Sequence, residues 1–115
     1  MFLNLSNTKL DVFKVSKDLL LNCYKETKIF PSEERFGIIQ QIRRAALSVH
    51  LNIAEGCTRK STAETKRFYE VARGSLVEVD TALDIAVELG YTTKEKLVEV
   101  SEFVIRIFRM ISKII

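Results

Sequence analysis

Apolar positions recur every three or four residues along almost the whole chain, a period that belongs to amphipathic helices rather than strands. Four segments carry it. The first runs from about Lys9 to Lys28 and stops short of Pro31, whose ring disfavours helical continuation. The second runs from about Ser32 to Glu55, with Gly56 as its left-handed cap. The third opens at Ser61, where Ser61 and Glu64 match a capping box, and closes at Gly90. The fourth starts near Thr93, with Thr92 and Glu95 as a second capping box, and continues to the last residue. Links of only a few residues make successive helices antiparallel neighbours. The pattern therefore predicts an all-α, antiparallel up-down four-helix bundle, one domain over residues 1–115.

Projection at about 100° per residue assigns the buried faces. In the second helix Ile38, Ile42, Ala45, Ala46, Val49 and Ile53 share a face. In the third the face is Phe68, Val71, Ala72, Ser75, Val79, Ala82, Leu83 and Ala86. Both are rich in small residues, which suits close helix contact. Gly74 in mid-helix costs about 1 kcal/mol of propensity, and a close approach there is the expected compensation.

The fourth helix is wider than a bundle needs. Its apolar set, from Leu97 to Ile115, covers roughly 240° of the circumference. Glu95, Glu99, Glu102, Arg106, Arg109 and Lys113 are confined to a narrow stripe. A surface helix of a monomer needs little more than about 100° of apolar face. The excess predicts a homo-oligomer, with Phe103, Ile107, Phe108 and Ile111 at the subunit interface.

Composition narrows the function classes. With 47% apolar and 29% charged residues the chain is globular, and 115 residues fit one core. Four Gly and one Pro are too few for a turn-rich β domain. Cys23 and Cys57 lack metal-ligand spacing and have only His50 to join them, so no metal site is expected and the cysteines read as buried thiols in a reducing cytoplasm. The opening "MFLNLSNTKL" lacks the basic start and apolar core of a signal peptide. No apolar run approaches the roughly 20 residues that span a bilayer. The expectation is a cytoplasmic protein with no membrane contact. One His, no nucleophile–base arrangement, no Gly-rich phosphate loop and no paired carboxylates leave no catalytic residue and no cofactor to propose.

Net charge is +3, unevenly spread: residues 1–75 carry 13 Lys or Arg against 8 Asp or Glu, and residues 76–115 carry 5 against 7. Within "QQIRRAALSVHLNIAEGCTRKS", Gln41, Arg44, Ser48, Asn52 and Glu55 line one edge of the apolar face. They form either a network that sets helix register or a surface for an acidic partner such as RNA. Arg43 lies on the other edge near His50, which reads as a partly exposed helix residue. In "CTRKSTAETKRF", Arg59, Lys60, Lys66 and Arg67 surround a helix start, with Arg73 beyond. Cations there oppose the macrodipole, whereas phosphate oxygens favour the position. Asp80, Asp84 and Glu88 then recur on one face. A solvated surface and a docking surface for RNA or protein both fit. No ribonucleoprotein motif or aromatic stacking platform supports base-specific reading.

"FGIIQQIRRAALSVHLNIAEGCTRKS" and "RFYEVARGSLVEVDTALDIAVELGY" together resemble the bacterial four-helix-bundle proteins encoded in 23S ribosomal RNA intervening sequences, over roughly residues 10–112. The same superfamily includes accessory variability proteins of diversity-generating retroelements. Arg43, Arg44, Asn52, Glu55, Gly56 and Gly74 are the family-motif residues here. The resemblance implies a barrel-like homopentamer and an association with structured RNA, or an accessory role beside a reverse transcriptase or another protein. The family often has proline where this chain has His50, and that proline would kink the second helix.

Overall fold

A computed structural model describes residues 1–3, 5 and 10–115 of the chain. Its elements are α1 (Asp11–Thr27), a 3-10 turn (Ser32–Glu34), α2 (Ile38–Cys57), α3 (Thr62–Glu88) and α4 (Val98–Ile114). Among the described residues there is no strand, and no helix is long and apolar enough to cross a membrane. The expected start of the first helix at Lys9 lies outside the described residues. The helices form a four-membered ring: α1 packs on α2 and α4, and α3 packs on α2 and α4. The contact between α2 and α3 is the most extensive, and that between α3 and α4 the least.

The helix ends show which local rules operate. Ser61 accepts a hydrogen bond from the Glu64 amide at 3.1 Å and so caps α3. At the other end Gly90 takes φ 79° while its N–H bonds Val87 O and the Tyr91 N–H bonds Ala86 O. That pair of bonds is a Schellman motif, as glycine at this position predicts. Gly56, in contrast, is not a cap. It lies inside α2 and is buried, and the helix runs on to Cys57 and Thr58. The second helix also starts later than Ser32, because the chain makes a 3-10 turn and breaks at Gly37 before α2 begins. The fourth starts at Val98, five residues after Thr93, whose hydroxyl accepts from the Lys96 amide at 3.2 Å. The expected Thr92–Glu95 box does not form; Thr92 is buried and its hydroxyl has no hydrogen-bond partner among the described residues.

Ile42, Ala45, Ala46, Val49 and Ile53 are buried as projected, with Ile39 replacing the half-buried Ile38. The third helix is rotated from its projected setting. Tyr69 and Leu76 enter the core, whereas Val71 is exposed and Phe68 and Ala82 only half-buried. Tyr69 is admitted because Gly56 has no side chain: a Cβ there would stand 2.5 Å from the ring. Gly74 shows the opposite, with nothing within 4 Å of the place where its Cβ would be, so the expected close approach does not occur within one protomer. Helix α2 is continuous through His50. Instead of a kink, His50 supplies a tie to α1, its Nδ1 2.7 Å from Ser16 Oγ and its ring centroid 4.8 Å from that of Phe13.

On α4, Val100, Val104, Ile107 and Ile111 are buried within the protomer. Ile107 and Ile111, expected at the subunit interface, lie in the protomer's own core. Phe103 is half-buried, and Val98, Ile105, Phe108 and Ile114 remain exposed. The wide apolar face thus divides into an inner stripe facing the core and an outer remainder.

Candidate nucleic-acid interface

The link from α2 to α3 is a tight connection held by its own hydroxyls. The Thr58 hydroxyl donates to Glu55 O at 2.9 Å, and the Thr65 hydroxyl donates to Gly56 O at 3.1 Å, pinning the first turn of α3 to the last turn of α2. This places Arg59 and Lys60 before the α3 amino end, with Lys66 and Arg67 in its second turn. The four cations are not equivalent. Arg59 Nη2 lies 2.7 Å from Glu55 Oε2, and its guanidinium sits 5.4 Å from the Phe68 ring. It is the one ion pair among the described residues. Lys60 and Arg67 are exposed without a carboxylate partner, and Lys66 is half-buried. Arg73 stands apart from this group: it donates to Ser112 Oγ at 3.3 Å and lies 5.9 Å from the Phe108 ring, so it bridges α3 to α4.

The polar row on α2 mostly serves helix packing. Ser48 Oγ meets Ser75 Oγ at 2.8 Å, Asn52 Nδ2 donates back to Ser48 O at 2.8 Å, and Gln41 reaches Glu78 at 3.4 Å. The Ser48–Ser75 and Gln41–Glu78 bonds form a polar seam between α2 and α3, and the Asn52 bond stays within α2. Glu55 is taken by Arg59, whereas Arg44 is exposed and makes no hydrogen bond or ion pair to the described residues.

Arg43 does not accompany His50. Its Nε donates to Thr27 Oγ1 at 2.9 Å, its Nη2 donates to Tyr24 O at 3.3 Å, and the guanidinium covers the Tyr24 ring at 4.6 Å. It thereby clamps α2 to the end of α1, where backbone carbonyls lack helical partners and attract a cation. Its adjacent groove, about 220 Å³, is lined by Tyr24, Arg35, Phe36, Gln40, Arg43 and Arg44. Of these, sequence reasoning singled out only Arg43 and Arg44. The available signal was the run "ERFG", an exposed aromatic beside a cation at a helix break, but its companion Tyr24 comes from another helix.

A second, more apolar groove separates α3 from α4. One stretch, about 420 Å³, is lined by Leu76, Val77, Val104, Ile105, Phe108 and Arg109. The next, about 280 Å³, shares Asp80 with it and adds Asp84 and Lys94.

Titration within the protomer follows burial. Burial, with Glu26 nearby, pushes the Cys23 thiol up to about 12, so it stays protonated and inert as a nucleophile. Tyr69 is raised by burial and by its bond to the Cys57 sulfur, 3.1 Å from its hydroxyl. His50 is lowered, first by burial and then by Lys17. Cys23 and Cys57 form no disulfide, Cys57 being only half-buried. Among the described residues no group of three His, Cys, Asp or Glu is placed to hold a metal ion.

The family model described as 23S rRNA-intervening sequence protein matches residues 8–113. Among solved structures, a protein of unknown function from the S23 ribosomal protein family of Bacteroides thetaiotaomicron matches with a TM-score of 0.77 and 22% sequence identity. The match covers 90% of this chain and 96% of that one, and at such identity it speaks to the shared fold. No curated protein gives a match.

Proposed function

The chain belongs to the 23S rRNA-intervening sequence protein family, and from that premise we propose that it is a non-enzymatic, cytoplasmic, oligomeric protein that associates with structured RNA. Phosphates are met by the α2–α3 link and the start of α3. The observation that carries this reading is the set of cations around one helix amino end, of which Lys60 and Arg67 have no carboxylate partner. First-turn amides and the positive end of the helix dipole favour an anion at the same place. Phosphate contacts of this kind position an RNA without reading its sequence. Arg59 contributes less, since a phosphate must compete with Glu55 for it, and Arg73 belongs to the α3–α4 seam.

The bundle is antiparallel, and copies associate through the outer remainder of α4 and the adjoining face of α3. Ile105 and Phe108 on α4, with Val77 on α3, leave an apolar strip in one protomer that a second protomer would cover. The ring of five implied by the family resemblance is one closed solution for such a contact.

The test is binding of the purified protein to a structured RNA across a salt series. Affinity should fall with salt at a log–log slope of about −0.7 to −0.9 per phosphate contact. Charge reversal of Lys60 and Arg67 together should flatten that slope by about two contacts. Absence of binding at low salt would refute the proposal and direct attention to a protein partner.

A further inference from the structure

We propose that the groove between the end of α1 and the start of α2 receives an unpaired stretch of RNA, with Phe36 stacking on a base and Arg35 and Arg44 meeting its phosphates. This rests on the RNA reading above and names the form of RNA at a different surface.

Phe36 is the first reason. At 78% exposure it is the most exposed large apolar side chain between residues 10 and 115, and it takes no part in the core. Arg35 lies 4.9 Å from its ring centroid, covering one face of the ring and leaving the other to solvent. The turn that presents it is firmly built. Glu34 accepts from the Tyr91 hydroxyl at 2.8 Å and from the Ile38 amide at 3.4 Å. Gly37 passes so close to that carboxylate that a Cβ would run into Oε1. Phe36 therefore sits in a turn that these bonds tie to α2 and to Tyr91.

Charge is the second. Three guanidiniums line the groove, and none is paired with a carboxylate. Glu34, the nearest acid in sequence to Arg35, is occupied by Tyr91 and Ile38. Arg43 is committed to Thr27 and Tyr24, where it holds the tyrosine ring as the groove's wall. Arg35 and Arg44 remain available to an anion, and Gln40 adds an exposed amide between them.

Shape decides between nucleic-acid forms. Aromatic side chains flanked by cations take single strands, because an unpaired base offers its π-face and a paired one does not. A groove of about 220 Å³ admits a base or two and excludes a duplex. A run of acidic side chains would satisfy the arginines but leaves the face of Phe36 without a ring to stack on it. Arg44 and Thr58 are separated by most of α2, about 20 Å of helix. The groove is therefore distinct from the α2–α3 link and can be perturbed alone.

The experiment compares an oligouridine of about 12 nucleotides with a blunt RNA duplex of equal length, on wild type, Phe36→Leu, Arg44→Ala and Lys60→Glu. Leucine keeps the apolar bulk of Phe36 and loses the stacking face. It should weaken oligouridine binding about 5- to 100-fold without changing the salt slope, and leave duplex binding as it was. Arg44→Ala should flatten the oligouridine slope by about 0.7. Phe36 and Arg44 are exposed, so circular dichroism and melting should match wild type. Unchanged oligouridine affinity in Phe36→Leu overturns the groove, as does equal displacement of the oligouridine by oligoglutamate. If RNA binds but responds only to Lys60→Glu, the groove falls and the RNA reading stands. If neither RNA form binds wild type, the RNA reading itself falls.

Discussion

Alanine at Gly56 should destabilise the protein although alanine is the better helix former. In a helix interior the exchange gains about 1 kcal/mol of propensity. Here the new methyl would stand 2.5 Å from Tyr69 Cε1, 2.6 Å from Cδ1 and 3.3 Å from Phe68 Cβ. The obstacle is one edge of an aromatic ring that is 3% exposed and bonded through its hydroxyl to the Cys57 sulfur, so it cannot swing aside freely. Overpacking of this kind costs about 1–3 kcal/mol, and more when the neighbour is rigid. With two contacts far below van der Waals distance the upper end applies, and the net loss is about 1–2 kcal/mol. For a chain of this length that lowers the melting temperature by roughly 4–8 °C. Gly74→Ala is the control: it lies in a helix with nothing within 4 Å, and should raise protomer stability by about 1 kcal/mol. Urea unfolding at low protein concentration, with calorimetry for the melting temperature, measures both. A double variant with Tyr69→Leu should recover much of the Gly56→Ala loss, giving a coupling above about 0.5 kcal/mol. If Gly56→Ala is as stable as wild type, the close-contact account of Gly56 is wrong.

Other consequences follow from the same geometry. Ser16 donates to Phe13 O at 2.9 Å and its Oγ lies 2.7 Å from His50 Nδ1, while burial and then Lys17 disfavour a second proton on the ring. Because the folded His50 pKa lies below the unfolded value, the unfolded state takes up the proton first: stability is full above about pH 6.5 and declines as pH falls below it. His50→Asn should flatten the dependence of the urea midpoint on pH between about 7 and 5, and superimposable profiles would contradict this. Ile105→Glu and Phe108→Glu should reduce the mass seen by light scattering while leaving the helical circular dichroism intact, because both side chains are substantially exposed in one protomer. An unchanged mass in both would remove α4 from the subunit contact. Arg43→Ala should cost about 1–2 kcal/mol through the lost Thr27 and Tyr24 bonds, while Arg44→Ala stays within about 0.5 kcal/mol of wild type; equal urea midpoints would refute the distinction.

The arginine doublet shows how far the sequence could be read and where it stopped. Helix number and approximate extent follow from the spacing of apolar residues, since a 3.6-residue period leaves few alternatives over 17 to 27 residues. The rotation of each helix is less legible. On α3 it depends on Tyr69 finding space over Gly56, thirteen positions away, and a glycine at the end of an apolar run reads equally well as a cap or as a clearance. The same difficulty applies to function. Arg43 and Arg44 are chemically identical neighbours, about 100° apart on the helix. That angle turns one onto the carbonyls ending α1 and the other to solvent. The cations adjacent in sequence, at 59, 60, 66 and 67, were visible as a group; those gathered from Arg35, Arg43 and Arg44 beside Tyr24 and Phe36 were not, because their proximity is a product of helix packing. The polar seam divides similarly: periodicity places Ser48 on the edge of its helix face, but it places its partner Ser75 on an apolar face, and the two meet only once α2 and α3 are docked. A patch local in sequence needs only the neighbouring residues of one link, whereas a cluster assembled from two helices and a turn requires several independent positions to agree. That is why the groove, and not the basic link alone, carries the narrower expectation about what this protein binds.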